Sequence, residues 1–156
     1  MMELPREYNL RSATVEDRWA IRRLVFTAGL DPTQIRWSQF WVIEKDGQVV
    51  GCGQLRQFED TQELGSLVIA RSHRRQGLGS ALTHHLIQQA SHPLYLECLG
   101  QTLVQFYKQL GFQVTNLDNV PPLLKRKFAL TQRLARVLPL PLVVMKHDGG
   151  EIFRSG

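Results

Sequence analysis

Seven residues, Arg74-Arg75-Gln76-Gly77-Leu78-Gly79-Ser80, join an apolar strand pattern at Leu64–Ala70 to a helical pattern. Their types suit the holding of phosphate. Glycines let the backbone approach a ligand closely and turn without a Cβ clash. The loop amides and the unsatisfied N–H groups of a helix start converge on one spot, which favours an anion there. Arg71, Arg74 and Arg75 stand beside that spot. Two common phosphate loops are excluded. A dinucleotide fingerprint needs a third glycine where Leu82 stands, and a triphosphate loop needs a lysine that this stretch lacks. What remains is R-x-x-G-x-G followed by the small residues Ser80 and Ala81.

Such a loop needs a sheet and helices to position it. The 156 residues are expected to form one domain that buries about two thirds of its unfolded surface. Tyr8–Arg11 reads as a short strand, and Thr14 begins a helix to about Ala28 with Asp17 as its reciprocal cap partner. Asp31-Pro32 opens a short turn. Phe40–Glu44 and Gln48–Arg56 read as strands joined by a hairpin at Lys45-Asp46-Gly47. Glu63–Ala70 is the fourth strand, Gly79–Ala90 a helix, Leu94–Leu99 the fifth strand, and Thr102–Leu110 a helix. Phe112–Thr115 and Leu142–Lys146 complete the sheet. Antiparallel strands with one strand-helix-strand crossover predict a single mixed α/β sheet.

Composition narrows the setting. Apolar runs such as Leu138–Met145 are too short to span a bilayer, and Met1–Arg11 lacks an apolar signal core, so a cytoplasmic protein is expected. Cys52 and Cys98 sit in apolar strand patterns and read as buried, reduced thiols. The net charge is +5. Eight bases (Arg71, Arg74, Arg75, Lys125, Arg126, Lys127, Arg133, Arg136) fall in two acid-free stretches, and the remaining eleven are outnumbered by fourteen acids. Basicity confined to two patches, one explained by a phosphate-rich ligand, gives no support to nucleic-acid binding.

The R-x-x-G-x-G loop resembles the coenzyme A pyrophosphate loop of the GNAT superfamily of N-acetyltransferases. Downstream, Phe106-Tyr107-Lys108-Gln109-Leu110-Gly111-Phe112 looks like the family's FYxxLGF segment, with Gly111 ending the helix. The resemblance covers about residues 8–116 and the final strand. It implies a GNAT-like acyl-CoA N-acyltransferase fold, mostly antiparallel with a splayed parallel pair formed by the fourth and fifth strands. It also implies acetyl-CoA as co-substrate, no metal, and direct transfer to a primary amine of a small molecule or protein in a ternary complex. The alternative is a non-catalytic CoA-binding sensor.

Site residues follow from the same resemblance. Arg74, Arg75, Gln76, Gly77, Leu78, Gly79 and Ser80 would hold the pyrophosphate. Backbone groups of Leu67, Val68 and Ile69 would pair with the pantetheine arm, which lies between the splayed strands in the family, and a bulge there would aim an amide at the thioester carbonyl. A lysine-type amine, with a pKa of about 10.4, must lose a proton before it attacks. Glu63 matches the position of the general-base glutamate in the protein-lysine acetylating branch, and Glu97 on the next strand is its rival. Tyr107 occupies the general-acid position. Relatives often place a cofactor-contacting asparagine seven residues before this tyrosine, whereas this chain has Gly100, then Gln101. His84 and His85 read as solvated or packed side chains. Trp37, Phe40 and Trp41 read as a packing cluster, with an acceptor wall as the alternative.

Residues 117–139 are outside the resemblance. Pro121-Pro122 and Pro139 frame LLKRKFALTQRLARVL, a basic amphipathic helix predicted as an insertion at about 120–138. Leu123, Leu124, Phe128, Leu130, Leu134, Val137 and Leu138 form its apolar face, with the five bases mostly off it. Packing on the sheet or over the acceptor cleft is expected first and a homodimer contact second. The interrupted pattern argues against membrane contact.

Overall fold

The computed structural model describes residues 3–137 and 141–148. The chain divides into two compact units. The first comprises Met1–Leu55 and Leu64–Gln89, and the second comprises Arg56–Glu63 and Ala90–Gly156. Seven strands are described: β1 (Asn9–Ser12), β2 (Phe40–Lys45), β3 (Gln48–Phe58), β4 (Thr61–Ile69), β5 (Leu94–Leu99), β6 (Gln113–Val114) and β7 (Leu142–His147). Four α-helices accompany them: α1 (Arg18–Thr27), α2 (Leu78–Gln89), α3 (Gln101–Gln109) and α4 (Pro122–Leu134). The strand order is β1-β2-β3-β4-β5-β7-β6. β4 and β5 run parallel, paired at Gln62↔Leu94 and Glu63↔Tyr95, while β5–β7 and β6–β7 are antiparallel.

In the first unit β1 and β2 pair from Asn9↔Glu44 to Ser12↔Trp41, and β2 continues antiparallel onto β3. Asp46, at φ 51, makes the hairpin between them. One core cluster joins Ile21, Leu24 and Val25 of α1 to Phe40, Val42, Cys52 and Val68 of the strands. The helix expected from Thr14 begins instead as a 3-10 turn at Val15–Asp17 before α1 proper. Asp17 accepts the Thr14 amide at 2.8 Å, as a cap partner should, and also binds Arg11 at 2.7 Å. The guanidinium holds the Asp17 carboxyl below its usual range.

α2 lies close against β3 because Gly53 has no side chain. A Cβ there would come within 2.7 Å of Leu86 Cδ1 and 3.1 Å of Leu67 Cδ1. Leu82 and Leu86 of α2 are wholly buried. The close approach fixes the helix whose first turn carries the glycine loop.

In the second unit, Tyr95 of β5 and Val144 of β7 meet Val120 and the Leu124 and Phe128 side chains of α4, with Phe58 and Leu117 at the margin. The helix expected before the last strand forms as α4 and continues into a 3-10 turn at Ala135–Val137. Its apolar face is narrower than the sequence suggests. Only Leu124 and Phe128 are buried, whereas Leu123, Leu130, Leu134 and Val137 are 44–88% exposed. Leu138 and Pro139 lie outside the described residues. Cys52 and Cys98 are buried free thiols, and burial raises them to about 12 and about 11. Among the described residues no helix is long and apolar enough to cross a membrane, and no cluster could hold a metal ion.

Replacing Gly53 with alanine is expected to cost about 1–3 kcal/mol, because the new methyl must displace Leu86 or Leu67 in a packed interior. Thermal unfolding should show it as a drop of about 2–4 °C per kcal/mol.

Candidate active site

The glycine loop belongs to the first unit. After β4 the chain makes a 3-10 turn at Arg71–His73, and α2 starts at Leu78, one residue before the expected Gly79. Gly77 takes φ 78, and Arg75 takes φ 64, a left-handed conformation uncommon for a residue with a side chain. A turn in which successive residues alternate hands directs successive amides to one side, the geometry of an anion nest. Arg74, Arg75, Gln76 and Gly77 are exposed, Leu78 is buried, and Gly79 and Ser80 are half-buried.

Three side chains tie this loop down. Arg74 Nε donates to the Ile69 carbonyl at 2.9 Å, tying the loop to the end of β4. The Tyr8 hydroxyl donates to Gln76 Oε1 at 3.1 Å and lies 3.0 Å from His73 Nδ1. Thr83 Oγ1 donates to the Gly79 carbonyl at 2.7 Å. Tyr8 is a support that sequence reasoning missed, since no motif links an N-terminal tyrosine to a loop 68 residues away.

β4 itself departs from regular geometry. Ser66 takes φ 50, one residue before Leu67. A non-glycine residue held there costs on the order of 1–3 kcal/mol, and such outliers gather at functional sites. Val68 packs in the core, Leu67 and Ile69 are half-buried, and the Ile69 carbonyl already accepts the Arg74 bond.

Glu63, Glu97 and Tyr107 all belong to the second unit. Glu63 is buried, not a solvated strand end, and two cations occupy it. Arg56 Nη1 donates to its Oε1 at 2.5 Å, and Lys127 Nζ lies 2.5 Å from both oxygens. Lys127 comes from α4, turned inward beside Phe128 rather than off the buried face, and its ammonium sits 5.7 Å from the Phe58 ring centroid. Burial pulls the Lys127 ammonium below its ordinary value, and the Glu63 charge opposes that.

Glu97 lies two residues beyond Tyr95, the register partner of Glu63, and alternation puts it on the same face. Its Oε2 is buried without a hydrogen-bond partner. Burial first, then the Glu63 charge, push its carboxyl from an ordinary 4.5 to about 8, with Lys127 and Thr131 acting the other way. Thr131 also donates from Oγ1 to the Lys127 carbonyl at 3.0 Å. The two carboxylates therefore differ in kind. Glu63 is a counter-ion with its oxygens taken, and Glu97 is a proton-bearing group with an oxygen to spare.

Tyr107 lies on α3, buried, with its ring 5.0 Å from Phe106 and 5.5 Å from Phe112. Burial, then the Cys98 thiol, raise its hydroxyl well above the ordinary phenol range. It stays protonated across the working pH range. Gly100 caps the start of α3 and Gln101 is exposed. Of the other candidates, His85 stacks edge-on against Trp41 at 4.4 Å with Nε2 buried and unpartnered. Phe40 is core, while Trp37 is exposed. Lys127 and Arg56 were not legible as site residues, because a lysine inside Lys125-Arg126-Lys127 looks like part of a solvated run. The one available hint was its place between Leu124 and Phe128, a turn apart on the buried side.

The acetyltransferase (GNAT) domain model matches residues 36–114, half of the chain, and the chain belongs to that family. An amino-acid acetyltransferase of Shewanella oneidensis is 28% identical over 146 residues, covering 85% of this chain and 33% of the relative. N-acetyltransferase 8 of Mus musculus is 36% identical over 93 residues, covering 52% of this chain and 41% of the relative. The chain thus spans a third to two fifths of these relatives' lengths. The structure of N-acetylglutamate synthase from Neisseria gonorrhoeae, complexed with coenzyme A and N-acetyl-glutamate, has the same fold. It superposes with a TM-score of 0.72 at 21% identity, covering 90% of this chain and 34% of that one.

Glu97 makes a stability prediction with a definite sign. Below about pH 4.5 it is protonated folded and unfolded alike. As pH climbs towards about 8, the unfolded chain releases a proton that the folded chain keeps, so stability falls across that window. Glu97→Gln has no proton to release. It should be more stable than the parent at pH 7, on the order of 2 kcal/mol, with the gap closing towards pH 5 in parallel denaturant titrations.

Proposed function

We propose that this chain is an acetyl-CoA-dependent N-acetyltransferase that acts on a primary amine. The loop at Arg74, Arg75, Gln76, Gly77, Leu78, Gly79 and Ser80 would hold the pyrophosphate. The backbone of Leu67, Val68 and Ile69, re-aimed at Ser66, would receive the pantetheine arm. Support comes from the family membership, the left-handed residues in the loop, and the coenzyme A complex of the structurally similar synthase. A free amino acid heads the acceptor classes because the Shewanella relative, an amino-acid acetyltransferase, aligns over 85% of this chain.

The observation that carries the mechanism is the unequal pair of carboxylates. At pH 8 about one lysine-type amine in 250 is neutral, so a nearby proton acceptor raises the reactive fraction. Glu63 is the position suggested by the family, but Arg56 and Lys127 already bind its oxygens. Glu97, with an unpartnered oxygen, takes the proton in its ionised form, which prevails above about pH 8. The amine nitrogen attacks the thioester carbonyl carbon, the C–N bond forms, the C–S bond breaks, and the nitrogen's proton passes to Glu97. The sulfur leaves as a thiolate. Full transfer from the Tyr107 phenol to a thiolate of pKa about 8.5 is uphill by at least about 2 kcal/mol. Its role is therefore a hydrogen bond to the departing sulfur, with the proton delivered afterwards from solvent. No observation favours the sensor alternative.

Acetyl-CoA at about a hundred times its dissociation constant should stabilise the protein by roughly 2.7 kcal/mol, read as a rise in Tm. No shift with either acetyl-CoA or CoA would sink the reading. Thiol release should be tested with free amino acids, polyamines and peptides. With the accepted amine, turnover should rise with pH to a plateau above about 8. Glu97→Gln should remove that limb and lower kcat by about 10²-fold or more. Tyr107→Phe should lower kcat by a smaller factor and leave the KM for acetyl-CoA close to its starting value.

A further inference from the structure

The inserted helix has a specific connection to the chemistry. Four ionisable side chains from four elements of the second unit meet: Arg56 of β3, Glu63 of β4, Glu97 of β5 and Lys127 of α4. Arg56 is 11% exposed at its side chain, Glu63 6% and Lys127 20%, so water screens these charges little. Both cations sit on Glu63, and Glu97 receives neither. Resting on the reading above, we propose that Lys127 is a positioning residue of the reaction. By pinning Glu63 it makes one carboxylate a fixed anion and leaves Glu97 as the member that exchanges a proton.

Two neighbouring carboxylates without a cation cannot both ionise cheaply, and which of them carries the proton is then undecided. Lys127 resolves this by geometry. Its ammonium lies equidistant from the two Glu63 oxygens, which fixes the rotamer of that side chain. The same charge acts on Glu97 from a distance and favours its ionised form, whereas Glu63 disfavours it. Thr131, one helical turn after Lys127, joins the Lys127 carbonyl and interacts with Glu97. Among the described residues, Cys98, next along β5, also feels the Glu97 charge, and it is a buried neutral thiol. Facing β7 places Val144 opposite Glu97 in register. The helix is held by Leu124 and Phe128 on either side of Lys127, so its packing delivers the ammonium to one place.

The test reads Glu97 directly. Protein labelled with ¹³C at the glutamate side-chain carboxyl is titrated by NMR, with the Glu97 signal assigned by its loss in Glu97→Gln. Lys127→Met should move the Glu97 midpoint upward by about one pH unit, and Glu63→Gln should move it downward by a similar amount. Lys127→Arg should restore the parent midpoint within a few tenths. The rising limb of kcat should move with the midpoint in each variant, while the KM for acetyl-CoA stays within about twofold. A helix that only packs would change melting temperature and leave the midpoint in place, and an unmoved midpoint in Lys127→Met overturns the proposal. If that variant does not fold, Glu63→Gln carries the same decision with the opposite sign. Failure of the underlying reading would look different: Glu97→Gln would turn over at the parent rate, whatever the midpoints do.

Discussion

Two carboxylates on neighbouring parallel strands, Glu63 buried and Glu97 half-buried, lie beside two cations, and the cations are not shared evenly. A buried charge costs several kcal/mol unless it is paired and hydrogen-bonded. Glu63 meets that condition twice, through Arg56 and Lys127. Glu97 does not, and it answers the cost by keeping its proton. This partition organises the second unit. β5 supplies Glu97 on one face and the buried thiol of Cys98 on the other, and α3 places Tyr107 where that thiol influences it. α4 packs two side chains on the sheet so that the lysine between them reaches Glu63.

The first unit works by backbone placement. Its loop offers amides, and the fold's effort goes into holding those amides still. Tyr8 and Thr83 each reach the loop or its carbonyls, and Arg74 fastens it to the strand it follows. Ser66 adds a local departure from regular geometry within β4, one residue before Leu67. Gly53 contributes by being small, since the helix carrying the loop can approach the sheet only if no methyl intervenes.

Local signals carried most of the fold. The period-two runs located β2–β5 and β7 to within about two residues, and the glycine loop marked the start of α2 to within one. The 3-10 entry to α1 was not visible, because the Thr14/Asp17 pair suits either kind of turn. Of the candidate site, the loop and the segment around Tyr107 carry local motifs, whereas contacts between side chains far apart in sequence carry none. Glu63 and Lys127 are 64 residues apart, and no spacing rule connects them. The face of Glu97 could not be read from its alternation with Leu96 and Cys98, since both faces of β5 are covered. For α4 the apolar pattern overstated burial. A stripe of leucines can look wide when half of it faces outward.

Surface insertions are ordinarily the parts of a domain that tolerate shortening, because nothing inside relies on them. α4 breaks that rule through one side chain. Removing the helix would take away Lys127 and expose Tyr95 and Val144, leaving Glu63 with Arg56 alone. Gains and losses of length at this position are therefore constrained by charge as well as by packing.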